Sequence, residues 1–185
     1  MNIPNSLTLV RILLIPVLVV VFYLPWRWAH VATAALFTAA AVTDWLDGYL
    51  ARRLGQTSTL GAFLDPVADK LMVAVVLVLL LQQHPTVALA LPSAVIIGRE
   101  ITVSALREWM AELGARKKVA VSNVGKYKTA SQMVALILML YREPIGSLPT
   151  YKVGFVLLYV AAVLTIWSMC VYLVAAWPRL RASQE

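Results

Sequence analysis

Four aspartates lie close together in the segment TDWLDGYLARRLGQTSTLGAFLDPVADKLM, residues 43–72, of a 185-residue chain that has nine acidic residues. Residues three or four positions apart lie on one face of an α-helix. Asp44 and Asp47 are three positions apart, and Asp65 and Asp69 are four apart. Each pair therefore forms an acidic stripe, and two antiparallel helices joined by a short loop can bring the stripes face to face.

The four carboxylates need a compensating cation, because clustered acids cannot all stay ionised in a medium of low dielectric constant. Ligand sets made only of oxygen favour hard ions, so we expect Mg²⁺ or Mn²⁺ rather than Zn²⁺. Two such ions about 4 Å apart are a recurrent arrangement for displacement at phosphorus. The segment therefore predicts a site for two divalent cations.

Small residues accompany the acids. Gly48, Ala51, Gly61 and Ala62 lie along the groove between the two predicted helices. They allow either close helix packing or room for a bulky phosphorylated ligand, and both interpretations stay open at this point. Arg52, at the end of the first acidic helix, is placed to hold a diphosphate oxygen.

The elements that position these residues are membrane helices. The chain is 61% hydrophobic and 14% charged, which is too apolar for a soluble domain of this length. Its apolar stretches approach the roughly 20 residues that a spanning helix needs. They are residues 7–24, 29–50, 60–81, 86–110, 123–141 and 151–177. We therefore predict an all-α polytopic membrane protein, a six-helix bundle that forms one domain over residues 1–185.

The basic residues predict the orientation and exclude a nucleic-acid partner. With an even number of spans, both termini lie on one side of the membrane. Of the 16 basic residues, that side holds Arg11, Arg52, Arg53, Lys70, Arg99, Arg107, Arg116, Lys117, Lys118, Lys126, Lys128, Arg179 and Arg181, and the other side holds Arg27, Arg142 and Lys152. Cytoplasmic loops are enriched in lysine and arginine, so both termini are expected in the cytoplasm. The net charge of +7 then fits an anionic lipid surface rather than nucleic acid.

The full spacing of the acidic segment resembles a family signature. It reads Asp44-x2-Asp47-Gly48-x2-Ala51-Arg52-x8-Gly61-x3-Asp65-x3-Asp69. At every fixed position it is similar to the signature of the CDP-alcohol phosphatidyltransferases. Residues 2–17, 98–114 and 119–133 resemble the bacterial phosphatidylglycerophosphate synthase branch of that family.

The resemblance implies a reaction and roles for the acids. The family transfers a phosphatidyl group from CDP-diacylglycerol to an alcohol and releases CMP, and in this branch the acceptor is sn-glycerol 3-phosphate. By resemblance, Asp44 and Asp65 bridge two metal ions, Asp47 completes the first metal site, and Asp69 binds the second ion. Asp69 is also the expected general base.

Further expectations rest on the resemblance alone. The residues expected to contact CDP-diacylglycerol are Asn5, Thr8, Gly48, Arg52, Ser58 and Gly61. The resemblance also implies a homodimer in the bacterial inner membrane, with the active site facing the cytoplasm.

The dianionic phosphate of the acceptor needs basic partners near the metal ions. The candidates are Arg99, Arg107, Lys126 and Lys128. Arg99 lies within an apolar run, and Arg107 lies roughly on the same helical face. Lys126 and Lys128 begin the fifth stretch, where a helix N-terminus also favours phosphate. Glu100 leaves an alternative open, an intramembrane ion pair with Arg99.

Two other functions compete with this interpretation. Another enzyme of the same family could use inositol phosphate, serine or phosphatidylglycerol as acceptor, although the basic residues favour a phosphorylated one. A divalent-cation transporter could use the aspartates as its pathway. The outer halves of the second and third stretches, VATAALFTAAA and VAVVLVLLL, contain no polar path that would support transport.

Overall fold

The computed structural model describes residues 3–54, 59–112 and 123–182, and within them the regular structure is helical. The described helices are α1 (Ile3–Tyr23), α2 (Ala29–Leu54), α3 (Thr59–Gln83), α4 (Val87–Glu112), α5 (Asn123–Tyr141) and α6 (Thr150–Ala182). Each predicted apolar stretch coincides with one of these helices to within a few residues at either end. The all-α fold and the six helical segments predicted from the sequence are thus confirmed.

Prolines follow the C-terminal ends of α1 and α3, and a threonine caps the start of α4. Helices α1 and α3 stop shortly before Pro25 and Pro85, whose rings cannot continue the backbone ladder. Thr86 then caps the start of α4. Its carbonyl and its hydroxyl both accept hydrogen bonds from the Leu89 N–H, at 3.1 and 3.3 Å.

The turn between α5 and α6 begins with a left-handed residue. Arg142 has a φ of 62° and its N–H donates to the carbonyl of Leu138 at 3.2 Å, which caps the C-terminus of α5. Its guanidinium carbon lies 5.3 Å from the centre of the Phe22 ring. This contact offsets part of the cost of a conformation that glycine adopts more readily.

Polar contacts hold the same turn against α2. The hydroxyl of Thr150 donates to the carbonyl of Glu143 at 2.8 Å. The Glu143 carboxylate lies 2.9 Å from Nε2 of His30, which belongs to the first turn of α2. The turn is therefore tied both to the helix that follows it and to a helix far away in sequence.

Among the described residues, three helices are long and apolar enough to cross a membrane. These windows are Pro66–Gln83 in α3, Val87–Leu106 in α4 and Thr150–Val174 in α6. Residues Thr8–Tyr23 of α1 form a shorter apolar segment. The chain is therefore membrane-bound in character.

The chain divides into two compact units. The first unit comprises Met1–Pro85 and Leu136–Gly154. In it, α1 packs against both α2 and α3. Its buried core includes Leu18, Phe37, Leu77, Leu80 and Met139. Helix α1 can therefore present side chains to the two helices that hold the aspartates.

The second unit comprises Thr86–Ala135 and Phe155–Glu185. Its buried core includes Leu89, Ile96, Val103, Leu158 and Ala161. The hydroxyl of Tyr159 donates to the carbonyl of Ala88 at 2.7 Å and links α6 to the start of α4. The division into units does not test the prediction of a single domain over residues 1–185.

Candidate active site

Two of the four predicted metal ligands converge in the first unit. Asp44 of α2 and Asp69 of α3 both accept hydrogen bonds from the same atom, Nη1 of Arg11. The distances from Nη1 to Oδ1 are 2.6 Å for Asp44 and 3.0 Å for Asp69. One carboxylate oxygen from each helix is thus held within contact distance of a single cationic nitrogen.

The three side chains differ in their access to solvent. Arg11 is 2% exposed, whereas the side chains of Asp44 and Asp69 are 34% and 39% exposed. A buried guanidinium needs anionic partners, since an unpaired charge in a protein interior is costly. Arg11 therefore lies behind the two carboxylates, which keep part of their surface open to ligands.

Arg11 is buried, whereas the sequence analysis expected it at the cytoplasmic surface. The sequence places it among the cytoplasmic surface charges that set orientation, but its side chain is paired inside the protein. A signal for this was available, because Arg11 interrupts the apolar run LTLVRILLIPV. A charged residue in such a run generally faces a partner rather than solvent.

Helix geometry places the other two acids next to this pair. Asp47 lies one turn beyond Asp44 in α2, and Asp65 lies one turn before Asp69 in α3. Both helices are continuous over these positions, as the spacing predicted. The side chains of Asp47 and Asp65 lie outside the described part of the structure, so the four-acid site stays a prediction.

The arrangement nevertheless fits a divalent cation. The described ligands are carboxylate oxygens from two helices that already share one positive partner. Such oxygens are the ligands that Mg²⁺ and Mn²⁺ prefer. The side chains that the structure describes include no cluster of three or more acidic, histidine or cysteine ligands. The prediction that Asp47 and Asp65 complete the metal site is therefore not tested by the described side chains.

The structure describes only some of the residues that are predicted to contact the lipid donor, CDP-diacylglycerol. Thr8 is 1% exposed and lies one turn before Arg11 on α1, and Gly61 is buried near the start of α3. Gly48 lies within α2, but its surroundings and the side chains of Asn5 and Arg52 lie outside the described part, as does Ser58. The contacts of these residues with a lipid donor therefore stay predictions.

A second polar cluster lies in the second unit. Oε1 of Glu100 accepts a hydrogen bond from Nη1 of Arg99 at 3.1 Å and another from Nζ of Lys128. Nη2 of Arg99 donates to the hydroxyl of Ser168 at 3.2 Å. The cluster joins α4, α5 and α6 and holds two cations around one carboxylate. It is strongly shielded, because the Arg99 and Lys128 side chains are only 10% and 5% exposed.

This geometry bears on the predicted acceptor pocket. The ion pair between Arg99 and Glu100, the alternative left open by the sequence, is present. Among the side chains that the structure describes, two cations thus face this one carboxylate. Arg107 and Lys126 lie in α4 and α5, but their side chains are outside the described part. The acceptor roles of all four basic residues stay predictions, and Ser168 is a partner that the sequence did not indicate.

The comparisons with known proteins agree with one another. The model of the CDP-alcohol phosphatidyltransferase family matches residues 1–167. A protein of Pseudomonas fluorescens is 56% identical over 182 residues, 98% of this chain and 93% of its own. A protein of Salmonella choleraesuis strain SC-B67 is 56% identical over 175 residues, covering 95% and 94% of the two chains. A protein of Yersinia pestis strain Pestoides F is 55% identical over 183 residues, 97% of each chain. All three relatives are named CDP-diacylglycerol–glycerol-3-phosphate 3-phosphatidyltransferase.

Proposed function

The chain belongs to the CDP-alcohol phosphatidyltransferase family, and we propose that it is the enzyme that makes phosphatidylglycerophosphate. It transfers the phosphatidyl group of CDP-diacylglycerol to sn-glycerol 3-phosphate and releases CMP. The observation that carries this proposal is the near-full-length similarity, at 55–56% identity, to relatives named for that reaction. The structure supports the proposal as well, because Asp44 and Asp69 lie close together around Arg11.

The reaction is a direct displacement at the β-phosphorus of the donor. The acceptor hydroxyl oxygen forms the new bond to this phosphorus, and the bond from phosphorus to the CMP oxygen breaks. CMP leaves with the electron pair, and Asp69 accepts the proton of the attacking hydroxyl as general base. No covalent enzyme intermediate is required.

Enzymes of this family generally depend on divalent cations. Asp44, Asp47, Asp65 and Asp69 would hold two Mg²⁺ or Mn²⁺ ions, which would supply positive charge against the negative charge that develops on the leaving CMP. The oxygen ligands and their approach from two helices support this assignment. Because Asp44 and Asp69 are partly exposed, the diphosphate can approach them.

The remaining polar residues bind the two substrates. The CDP moiety contacts Asn5, Thr8, Gly48, Arg52, Ser58 and Gly61. The phosphate of glycerol 3-phosphate is bound by basic side chains from α4 and α5, namely Arg99, Arg107, Lys126 and Lys128. The two cations that face Glu100 in the described part of the structure support this second group.

The protein spans the bacterial inner membrane six times as a homodimer, with both termini and the active site on the cytoplasmic side. Three helices that meet the length and composition of a membrane span support this topology. Arg11, Arg99 and Lys128 are shielded inside the protein, so they do not count as surface charges. Without them the basic residues divide ten against three, which still favours this orientation.

The test is CMP release by the purified protein in detergent. The protein receives CDP-diacylglycerol, Mg²⁺ or Mn²⁺ and one acceptor at a time: glycerol 3-phosphate, inositol phosphate, serine or phosphatidylglycerol. We expect turnover only with glycerol 3-phosphate and none after addition of EDTA. Asp44→Asn serves as the matched inactive control.

The other outcomes have distinct meanings. Turnover with a different acceptor alone would keep the metal site and remove the proposed acceptor pocket. No CMP from any acceptor, with a folded and metal-loaded protein, would overturn the transferase proposal and revive the cation transporter.

A further inference from the structure

We propose that Arg11 is a positioning residue that acts as the internal counter-cation of the aspartate site. In this proposal Arg11 neutralises Asp44 and Asp69 when no divalent ion is bound, and its hold on their oxygens yields when an ion enters. The proposal rests on the proposed function, because it takes the aspartates to be the metal ligands.

The geometry carries the first step. Nη1 of Arg11 contacts Oδ1 of both acids, at 2.6 Å from Asp44 and 3.0 Å from Asp69. A guanidinium engaged with one carboxylate usually uses two nitrogens in parallel. A shared donor instead places positive charge against both acids, the same two groups that the proposed divalent ions would neutralise.

Burial carries the second step. Arg11 is 2% exposed, so its charge is shielded from solvent and depends on the acids for compensation. The acids likewise depend on a cation, because two carboxylates held close together repel each other. Arg11 and a divalent ion therefore supply the same kind of stabilisation to Asp44 and Asp69, Arg11 when no ion is bound and the ion once it has entered.

The position of Arg11 in the fold carries the third step. Helix α1 packs against α2 and α3, and the Arg11 contacts join residues 33 and 58 positions away in sequence. Arg11 therefore fixes the distance between the two acid-bearing helices from a third helix. An entering ion would find Asp44 and Asp69 already held close together.

The proposal predicts that the loss of stability on replacing Arg11 depends on whether a divalent ion is bound. A ligand that binds only the folded state raises the thermal midpoint, and it does so more strongly the more tightly it binds. The ion should bind more tightly when Arg11 no longer occupies the same carboxylate oxygens. Replacement of Arg11 by methionine leaves the two acids without their internal cation. The loss of stability should be large in EDTA and smaller in Mn²⁺, because the ion then supplies the missing charge.

The experiment measures the thermal midpoint of the purified full-length protein in detergent, in EDTA and in saturating Mn²⁺, by intrinsic tryptophan fluorescence. For Arg11→Met we expect a drop of about 6 °C or more in EDTA and about half of that in Mn²⁺. Leu18→Ala is the matched control, since Leu18 is buried on the same helix at 1% exposed. Its drop should be equal in both conditions.

A second variant keeps the test decisive if Arg11→Met does not fold. Arg11→Lys retains the charge on a shorter, single-headed side chain. We expect its metal-dependent shift to exceed that of the wild type but to stay below that expected for Arg11→Met. An equal drop in both conditions for the Arg11 variants, as for Leu18→Ala, would show that Arg11 is only a packing residue and would overturn the proposal.

Failure of this inference differs from failure of the proposed function. If the wild type is stabilised by Mn²⁺ and releases CMP, while the Arg11 variants show no enlarged shift, only the role of Arg11 is wrong. If the wild type shows neither metal stabilisation nor CMP release, the proposed function fails, and the role of Arg11 fails with it.

Discussion

The carboxylate of Glu100 accepts a hydrogen bond from the ammonium of Lys128, and both side chains are largely shielded, at 20% and 5% exposed. Arg99 contacts the same carboxylate oxygen from the preceding position of α4. A basic residue in this cluster can therefore neutralise Glu100, bind the phosphate of glycerol 3-phosphate, or do both. The two roles make different predictions when Lys128 and Glu100 are changed together.

Lys128→Met should lower both stability and acceptor binding. We expect the free energy of unfolding to fall by about 3 kcal/mol, because Glu100 loses a buried partner. The apparent KM for glycerol 3-phosphate should rise by roughly tenfold or more, because a charged hydrogen bond to the phosphate is lost. Thermal unfolding and CMP release measure the two effects on the same preparation.

The double variant Glu100→Gln/Lys128→Met separates the roles. The Glu100→Gln change removes the charge that Lys128 neutralised and keeps a side-chain oxygen for Arg99, so part of the stability should return, but the raised KM should remain. A double variant with the wild-type KM would mean that Lys128 serves only to neutralise Glu100.

Asp69→Asn should abolish turnover while sparing binding. The amide of asparagine cannot take up the proton of the attacking hydroxyl group. We therefore expect kcat to fall by about 10²- to 10⁴-fold, the usual contribution of a general base. Binding of Mn²⁺, followed by electron paramagnetic resonance, and of CDP-diacylglycerol should change only a few-fold. Asp44→Asn is the comparison, because we expect it to lose metal binding as well. Complete loss of donor binding in Asp69→Asn would make Asp69 chiefly a metal ligand.

Arg107→Ala should act on the acceptor and not on the lipid donor. Loss of a guanidinium that binds phosphate should raise the apparent KM for glycerol 3-phosphate by about tenfold, with a change of less than about twofold for CDP-diacylglycerol. Arg27→Ala, which the proposed topology places on the opposite side of the membrane, is the control and should alter neither constant. A larger effect on the donor than on the acceptor would remove Arg107 from the acceptor pocket.

The proposed topology can be read by cysteine labelling, since the sequence contains a single cysteine, Cys170. In a Cys170→Ser background, Ser147→Cys in the exposed α5–α6 turn should react with a membrane-impermeant maleimide in spheroplasts. Gln184→Cys at the C-terminus should react only after the membrane is permeabilised. The reversed pattern would invert the orientation, and labelling of both sites in sealed spheroplasts would mean that α6 does not cross the membrane.

The membrane-bound, all-helical character could be predicted from the sequence because it depends on local properties. Apolar stretches of spanning length and the prolines beside their ends located α1 to α6 to within a few residues. The spacing of Asp44 and Asp47, and of Asp65 and Asp69, placed each pair on one helical face without any tertiary information. Hard-ion chemistry followed from the residue types alone.

The partners of the buried charges could not be predicted in the same way. From the sequence, Arg11 was predicted to be a surface charge. Only the packing of α1 against α2 and α3 brings its side chain into contact with Asp44 and Asp69. Likewise, an ion pair between the neighbours Arg99 and Glu100 was a local possibility, but Lys128 joins it from 28 positions away. Ser168, 69 positions from Arg99, had no local signal at all.

The sequence by itself thus determined which segments are helical and which residues share a helical face, and its resemblance to a known family indicated the reaction. The tertiary structure decided which cation meets which acid. The physical reason is that helix formation and side-chain spacing follow from neighbours within a few turns, whereas the pairing of a buried charge depends on which helices pack together. That packing sums many weak contacts between residues far apart in the chain, and no single spacing in the sequence records it.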